Sequence, residues 1–417
     1  MKRCVAILLA AVLLQGCAAG LYDVDRTESV AIGPDNGTSL ARAADEWQTE
    51  NPGLSGFLPI SRGISALGTR LELIEAAEQS VDAQYFILKN DTSGLLFASA
   101  LIDASLRGVR VRLLLDDLAT DVNDAHLLLL DMQPNVEVRI FNPIDRGGIY
   151  YANMVAHFKR ANRRMHNKTF VVDNRYGIVG GRNIGDEYFE LLGNDEFIDF
   201  DMLFVGDVAW QTSATFDRFW NHELSVPMSA YADRISEERL ERERDKARAA
   251  IEAALTEAYS AAMKASTLDD VLNGDIELYT GKARVITDDP EKLLTRAGAD
   301  FRYVVTELTE AVDRAEREVL IVTPYLIPGD NGLAYLEALR ERGVRVVILT
   351  NSLASNNHVP VHGGYARYRK DVIRAGAELY EARVNAARER LGNEDGPETL
   401  TLHTKAIIID NRYLFVG

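Results

Sequence analysis

Residues Met165–Asn183 read MHNKTFVVDNRYGIVGGRN, and residues Leu402–Gly417 read LHTKAIIIDNRYLFVG. The two stretches carry the same side chains in the same register: His166 recurs as His403, Lys168 as Lys405, Asp173 as Asp410 and Gly180 as Gly417. One match to H-x-K-x-x-x-x-D among seven histidines is weak, whereas two copies with the downstream glycine in step mark an internal duplication. Residues two apart in extended chain face the same way, so each His–Lys pair projects together. Asp173 and Asp410 fall on the opposite parity beside a D-N-R turn. They belong to the motif, yet they are expected to fix its hairpin rather than to touch substrate.

The duplication extends outward from these stretches. In the first half, Arg62–Ser80 has helical spacing and runs into the strand-like VDAQYFIL, followed by a helix ending at Gly108, the apolar strand Val109–Leu115, and VEVRIFNP closing at Pro143. In the second half the order returns, and RGVRV occurs in both, at Arg107–Val111 and Arg342–Val346. Alternating strands and helices imply an α/β fold. Residues 55–228 and 281–417 are read as its two similar halves, each a mostly β-sheet core flanked by helices. Residues 229–280, dense in Glu, Arg and Ala from Ser236 to Ser266, are read as a helical, largely solvated linker.

The chain has 417 residues, 47% apolar and 26% charged, enough for a large core or two domains. Its two cysteines, Cys4 and Cys17, lie at the N-terminus, which excludes a disulfide framework, a thiolate zinc site or a thiol nucleophile in the body. Residues 1–16 have a positive start at Lys2 and Arg3, and an apolar run, Val5–Leu14, that is too short to span a bilayer. With LQGC ending at Cys17, this resembles a bacterial lipoprotein signal. That resemblance implies lipidation of Cys17, and Ala18 at the next position implies the outer membrane, with residues 17–54 as a tether. The formal charge of −17 becomes two units more negative once Lys2 and Arg3 are removed. Such a charge argues against a nucleic-acid partner, despite the basic residues of His157–Lys168.

The chemistry of the doubled motif is that of phosphodiesters, which require a nucleophile, a proton donor for the departing alcohol, and positive charge around the non-bridging oxygens. Two histidines from two halves can supply the first two functions at one phosphorus. The motif, with Gly-Gly and Asn183 after its first copy, resembles the phospholipase D superfamily. The segments SVDAQYFI, RGVRVRLLLDD, FNP, RRMHNKTFVVDNRYGIVGGRNIGDEYF and VHGGYARYR are similar to its cardiolipin synthase C branch.

The resemblance implies a pseudo-two-fold pair of halves with one shared active site. His166 would form a phosphohistidine, His403 would act as acid and then base, and Lys168, Lys405 and Asn183 would hold the phosphoryl oxygens, without metal or other cofactor. It implies phosphatidyl transfer between phospholipids, phosphatidylglycerol and phosphatidylethanolamine, to make cardiolipin at a membrane surface. Hydrolysis as a phospholipase D, or phosphodiester cleavage as a nuclease, are the alternatives. A carboxylate is needed to fix the nucleophile's tautomer, and FIDFDMLFVG offers Asp199 and Asp201 on one face of an expected strand, either of which would orient His166.

Lesser candidates are Asp116 and Asp117, facing the cleft or capping a helix, and His358, His362 and Tyr365, lining a lipid pocket or leading into a helix. Phe216, Phe219 and Trp220 are expected in the core. The second copy stops at Gly417, without the Asn equivalent, so the chain is expected to be a piece of a longer protein, lacking a carboxylate for His403, poorly active and prone to aggregate at an open sheet edge.

Overall fold

The computed structural model describes residues 24–34, 37–118, 120–144, 164–192, 195–254, 257–294, 303–356, 359–384 and 399–417. Cys17, residues 1–16, His157–Arg163 and His358 lie outside them. Among the described residues no helix is long and apolar enough to cross a membrane.

In the first half, β1 (Ser55–Ile60), β2 (Ser80–Tyr85), β3 (Arg110–Asp116) and β4 (Val136–Phe141) alternate with helices Gly63–Ala76, Thr92–Leu106 and Asp124–Asp131. Local signals set the helix ends. The Asp91 and Asn123 side chains accept the first free N–H groups of two of these helices, and Gly108 adopts φ +96° where the chain turns into β3. Next come the hairpin β5 (Thr169–Val172) and β6 (Tyr176–Gly180), then β7 (Asp195–Ile198), β8 (Asp201–Gly206), helix Asp207–Trp220 and β9 (Ser225–Pro227). A short strand, β10 (Tyr279–Gly281), completes a nine-stranded sheet ordered β10-β1-β8-β6-β5-β2-β3-β4-β9.

The second half comprises β11 (Glu318–Val322), β12 (Arg345–Asn351), β13 (Glu378–Ala382), β14 (Thr399–Leu402), β15 (Ala406–Ile409) and β16 (Tyr413–Val416), with helices Val304–Val312, Gly329–Glu341 and Val359–Arg374. Its sheet runs β13-β12-β11-β15-β16. That is the order β4-β3-β2-β5-β6 repeated, with three parallel strands followed by an antiparallel hairpin in both halves. The α/β fold of two similar halves is therefore present.

Each hairpin turns through two residues in the left-handed region, Asp173 and Asn174 at φ +48° and +53°, and Asp410 and Asn411 at +53° and +56°. Asp and Asn tolerate this conformation better than other side-chain-bearing residues. The Asp173 carboxylate accepts from the N–H groups of Glu78, Gln79 and Ser80 at 3.0, 2.8 and 2.8 Å. Asp410 does the same for Glu316, Arg317 and Glu318, each at 2.8 Å. Both motif aspartates thus clamp their hairpin to the start of the neighbouring strand, and neither side chain is free to meet a substrate.

The expected tether is ordered against the body. Within the expected tether, Ser39–Glu50 is a helix capped by Thr38, with Leu40, Ala41 and Ala44 buried, and Trp47 packs over Gly56 so closely that a Cβ there would lie 2.7 Å from the indole. Residues 26–32 form a strap that is tied to the body through both its backbone carbonyls and its side chains. Arg26 donates to Ser225 O at 3.0 Å, Arg112 to Ser29 O at 2.9 Å, Trp220 to Ser29 Oγ at 2.9 Å, and Asn174 to Ile32 O at 2.7 Å. The linker after residue 229 is helical, at Glu237–Ala254, Glu257–Ala265 and Leu268–Leu272, with no described side chain of Glu237–Ala254 buried, while the next helix packs on the body. Ala262 is fully buried against Gly68, where an added Cβ would lie 1.9 Å from the Ala262 carbonyl oxygen.

Candidate active site

The parallel strands β7 and β14 come from different halves and pair in register, Thr399 with Asp195 through Leu402 with Ile198. The next residue on each side is His403 and Asp199, which the pairing sets side by side. His403 N–H donates to Ile198 O at 2.8 Å, and the His403 Nδ1 lies 2.6 Å from Asp199 Oδ2. The carboxylate on Nδ1 leaves Nε2 as the ring's other nitrogen, 3.4 Å from Lys405 Nζ.

This overturns two expectations. Asp199 orients His403, not His166, and the carboxylate for His403 is present, supplied by the first half. FIDFDMLFVG is also not one strand, because the chain leaves β7 at Ile198 and enters β8 at Asp201, so the two aspartates do not share a face. Asp201 is fully buried, with Arg70 Nη2 at 2.9 Å and Arg182 Nη1 at 3.5 Å, and it serves the core. The glycine pair makes room for both carboxylates: a Cβ at Gly180 would lie 2.1 Å from Asp201 Oδ1, and one at Gly181 would lie 2.1 Å from Asp199 Oδ1.

In the first copy His166 and Lys168 precede β5 and do face together, with Lys168 Nζ 3.3 Å from His166 Nδ1 and 3.0 Å from His166 O. The Phe86 ring packs 4.8 Å from the His166 ring and also faces the Lys168 ammonium. His403 is stacked on Phe197 at 5.3 Å and meets the edge of Tyr188 at 5.5 Å. Asn183 is buried, its oxygen accepting from Ile87 N–H at 3.1 Å and its amide donating to the Tyr188 hydroxyl at 2.9 Å. One amide N–H remains for a ligand, since Asn has two.

The electrostatics tie the halves together. His166 opens onto solvent, yet the packing around its ring, then the charges of Lys168, Lys405 and His403, hold its pKa far below the ordinary value. Burial lowers His403 too, and the Asp199 hydrogen bond offsets only part of this. Lys168 is pushed down to about 7, by burial and then by Lys405, and burial pushes Lys405 down to about 8. Burial alone would raise the Asp199 carboxyl, but the His403 bond and the His403 and Lys405 charges outweigh it and hold the group below the usual range. Burial and mutual repulsion thus lower the proton affinity of these four basic groups.

Asp116, expected to face the cleft or cap a helix, instead bonds Met165 N–H and Arg164, while Asp117 accepts from Ile144 N–H at 2.6 Å. Phe216, Phe219 and Trp220 are core, as expected. Tyr365 is buried on the helix Val359–Arg374 and donates to Glu381 at 2.7 Å. Sequence reasoning missed Phe86, Tyr188 and Phe197; the aromatic in SVDAQYFI was visible, but nothing local showed that it would pack on an imidazole. Among the described residues no three His, Cys, Asp or Glu side chains converge as a metal site.

The sequence profile described as "Cardiolipin synthase, PLD-like domain" matches residues 71–220 and 308–417, which include both His–Lys pairs. Cardiolipin synthase C of Escherichia coli is 36% identical over 390 residues, covering 91% of this chain and 80% of the relative. An uncharacterized protein of Helicobacter pylori is 32% identical over 414 residues, covering 99% and 82%. Among solved structures, phosphatidylserine synthase of Haemophilus influenzae superposes with a TM-score of 0.55 at 14% identity, over 89% of this chain and 81% of that one, a likeness of fold. On the strength of the matched profile, the relatives and the repeated half, the chain belongs to the phospholipase D superfamily, in its cardiolipin synthase branch.

Proposed function

We propose that the protein is a phosphatidyltransferase that joins two phospholipids into cardiolipin through a phosphohistidine on His166. The observation that carries this reading is the pairing of β14 with β7, which sets His403 of one half on buried Asp199 of the other, the half that carries the His166–Lys168 pair. His166, with its pKa held down, keeps a lone pair for attack on phosphorus. As the N–P bond forms, the P–O bond to the departing headgroup alcohol breaks, and the imidazolium form of His403, held through Nδ1–H by Asp199, gives its Nε2 proton to that oxygen and becomes neutral. In the second step the hydroxyl of another lipid gives its proton to His403 and attacks phosphorus, and the P–N bond breaks.

Lys168 and Lys405 supply the positive charge around the non-bridging oxygens, with the remaining Asn183 N–H as a neutral donor. The phosphodiester anion favours their ammonium forms, so substrate binding completes the charge of the site. Phosphatidylglycerol and phosphatidylethanolamine are the substrates we assign, and water competing for the same intermediate would give phospholipase D hydrolysis. In this reading lipid on Cys17 holds the protein at the periplasmic face of the outer membrane, and nucleic acid is not a partner. Mixed vesicles of the two phospholipids test the proposal by product mass: cardiolipin supports transfer, and phosphatidic acid alone would replace it with hydrolysis.

A further inference from the structure

Arg182 sits between the glycine pair and Asn183, and its side chain is buried among three stretches of backbone. Nε donates to Tyr188 O at 3.1 Å, Nη1 to Ile60 O at 3.0 Å, and Nη2 to Ser61 O at 2.6 Å and to Asp199 O at 2.7 Å. Nη1 also lies 3.5 Å from Asp201 Oδ2, which balances the guanidinium charge. A guanidinium carries five N–H groups in one rigid plane, and these acceptors match them in number.

Two of the gripped carbonyls belong to residues that touch His403. Asp199 meets His403 Nδ1 at 2.6 Å with Oδ2, while its Oδ1 accepts from Phe200 N–H at 2.8 Å. The Tyr188 ring meets the His403 ring edge-on at 5.5 Å, and the Tyr188 hydroxyl accepts from the Asn183 amide. The grip falls where the chain leaves β7 at Ile198 and enters β8 at Asp201. One buried side chain thus holds the crossing at which the two aspartates part, and also the turn that carries the tyrosine.

We propose that Arg182 is a positioning residue: by clamping the carbonyls of Asp199 and Tyr188 it fixes the carboxylate and the ring that set the tautomer and orientation of the His403 imidazole. A lysine, with three donors on a single atom, cannot span carbonyls on three segments. The effect on turnover rests on the phosphoryl-transfer reading, whereas the tautomer of His403 can be followed without substrate.

The test compares Arg182→Lys and the apolar Arg182→Met with Arg70→Lys in the full chain. Arg70 is as deeply buried and bonds the same Asp201 at 2.9 Å, but its other donors go to Ala66 O at 2.8 Å and the Tyr85 hydroxyl at 3.0 Å. It therefore reports what loosening this part of the core does while the clamp stays. Nitrogen-15 spectra of histidine-labelled protein at mildly alkaline pH, with the His403 signals identified by their loss in His403→Gln, show which ring nitrogen carries the proton. In the parent and in Arg70→Lys that nitrogen should be Nδ1. In both Arg182 variants the signals should move toward the tautomer mixture of an unrestrained imidazole. Turnover of mixed vesicles should fall roughly 10- to 100-fold in the Arg182 variants, the scale of a catalytic group held out of place. KM should stay nearly constant, because Lys168 and Lys405 are untouched.

Arg182 variants of an active parent that keep its tautomer or its full turnover would overturn the proposal, as would an Arg70→Lys variant that loses the tautomer equally. Failure of both Arg182 variants to show the parent's near-UV circular dichroism would also overturn it, making Arg182 a residue of folding. A tautomer change in variants of a parent that turns over no lipid would count against the assigned reaction and not against the clamp.

Discussion

Replacing Asp199 by Asn tests the site at the point where both halves contribute. The carboxylate is 3% exposed and lies 2.6 Å from His403 Nδ1, so the bond is short, buried and charge-assisted. Hydrogen bonds to charged groups contribute about 1.5–3 kcal/mol, which at about 1.4 kcal/mol per decade corresponds to roughly 10- to 150-fold. The amide also turns a pure acceptor into a possible donor to Nδ1, which would place the imidazole proton on Nε2, where the base must be free. Turnover of mixed vesicles should therefore fall about 100-fold, within the range of general acid–base catalysis, with little change in KM, because the lysines proposed to hold the phosphate remain.

Gly181→Ala should reach the same state from the other side, since its Cβ would lie 2.1 Å from Asp199 Oδ1 and displace the carboxylate. Product formation by mass spectrometry, with near-UV circular dichroism to verify folding, is the assay. An Asp199→Asn variant that folds and works within threefold of the parent would refute the view that this contact orients the acid–base group.

Anion binding should depend on pH through the two lysines. With Lys168 near 7 and Lys405 near 8, both are increasingly neutral as pH rises, so sulfate, whose charge is constant here, should bind best below about pH 7 and weaken through pH 8 to 9. Calorimetry in buffers of different ionisation enthalpy should show proton uptake on binding near neutrality, and a Kd flat from pH 6 to 9 would contradict this. Arg112→Ala should destabilise the first half by about 3–5 kcal/mol, because it leaves Asp82 buried without its bidentate partner, whose nitrogens lie 2.7 Å from each oxygen. Urea unfolding measures it, and faster proteolysis within residues 24–34 should accompany it, since Arg112 also holds Ser29.

The tether reading failed for an instructive reason. Residues 26–32 show no hydrophobic period because what holds the strap is hydrogen bonding to distant parts of the body. Its partners are Arg112, Asn174, Trp220 and Asn221, far along the chain. Asp116 reads from the sequence as an acid closing a strand, but the residue it holds, Met165, belongs to a segment whose path no local pattern reveals.

What the sequence determined by itself was the duplication, the two His–Lys pairs and the hairpin role of Asp173 and Asp410, because these follow from repeat spacing and side-chain parity over a few residues. What only the tertiary structure decided was which acid serves which histidine. Asp199 and Asp201 are two residues apart and chemically identical, and their fates separate because the chain changes sheets between β7 and β8. One then meets His403 through a pairing with β14 on the other half, and the other meets Arg70 in the core. A contact between residues two hundred positions apart is set by strand pairing and exclusion of alternatives in the packed fold, and no period in the sequence encodes it.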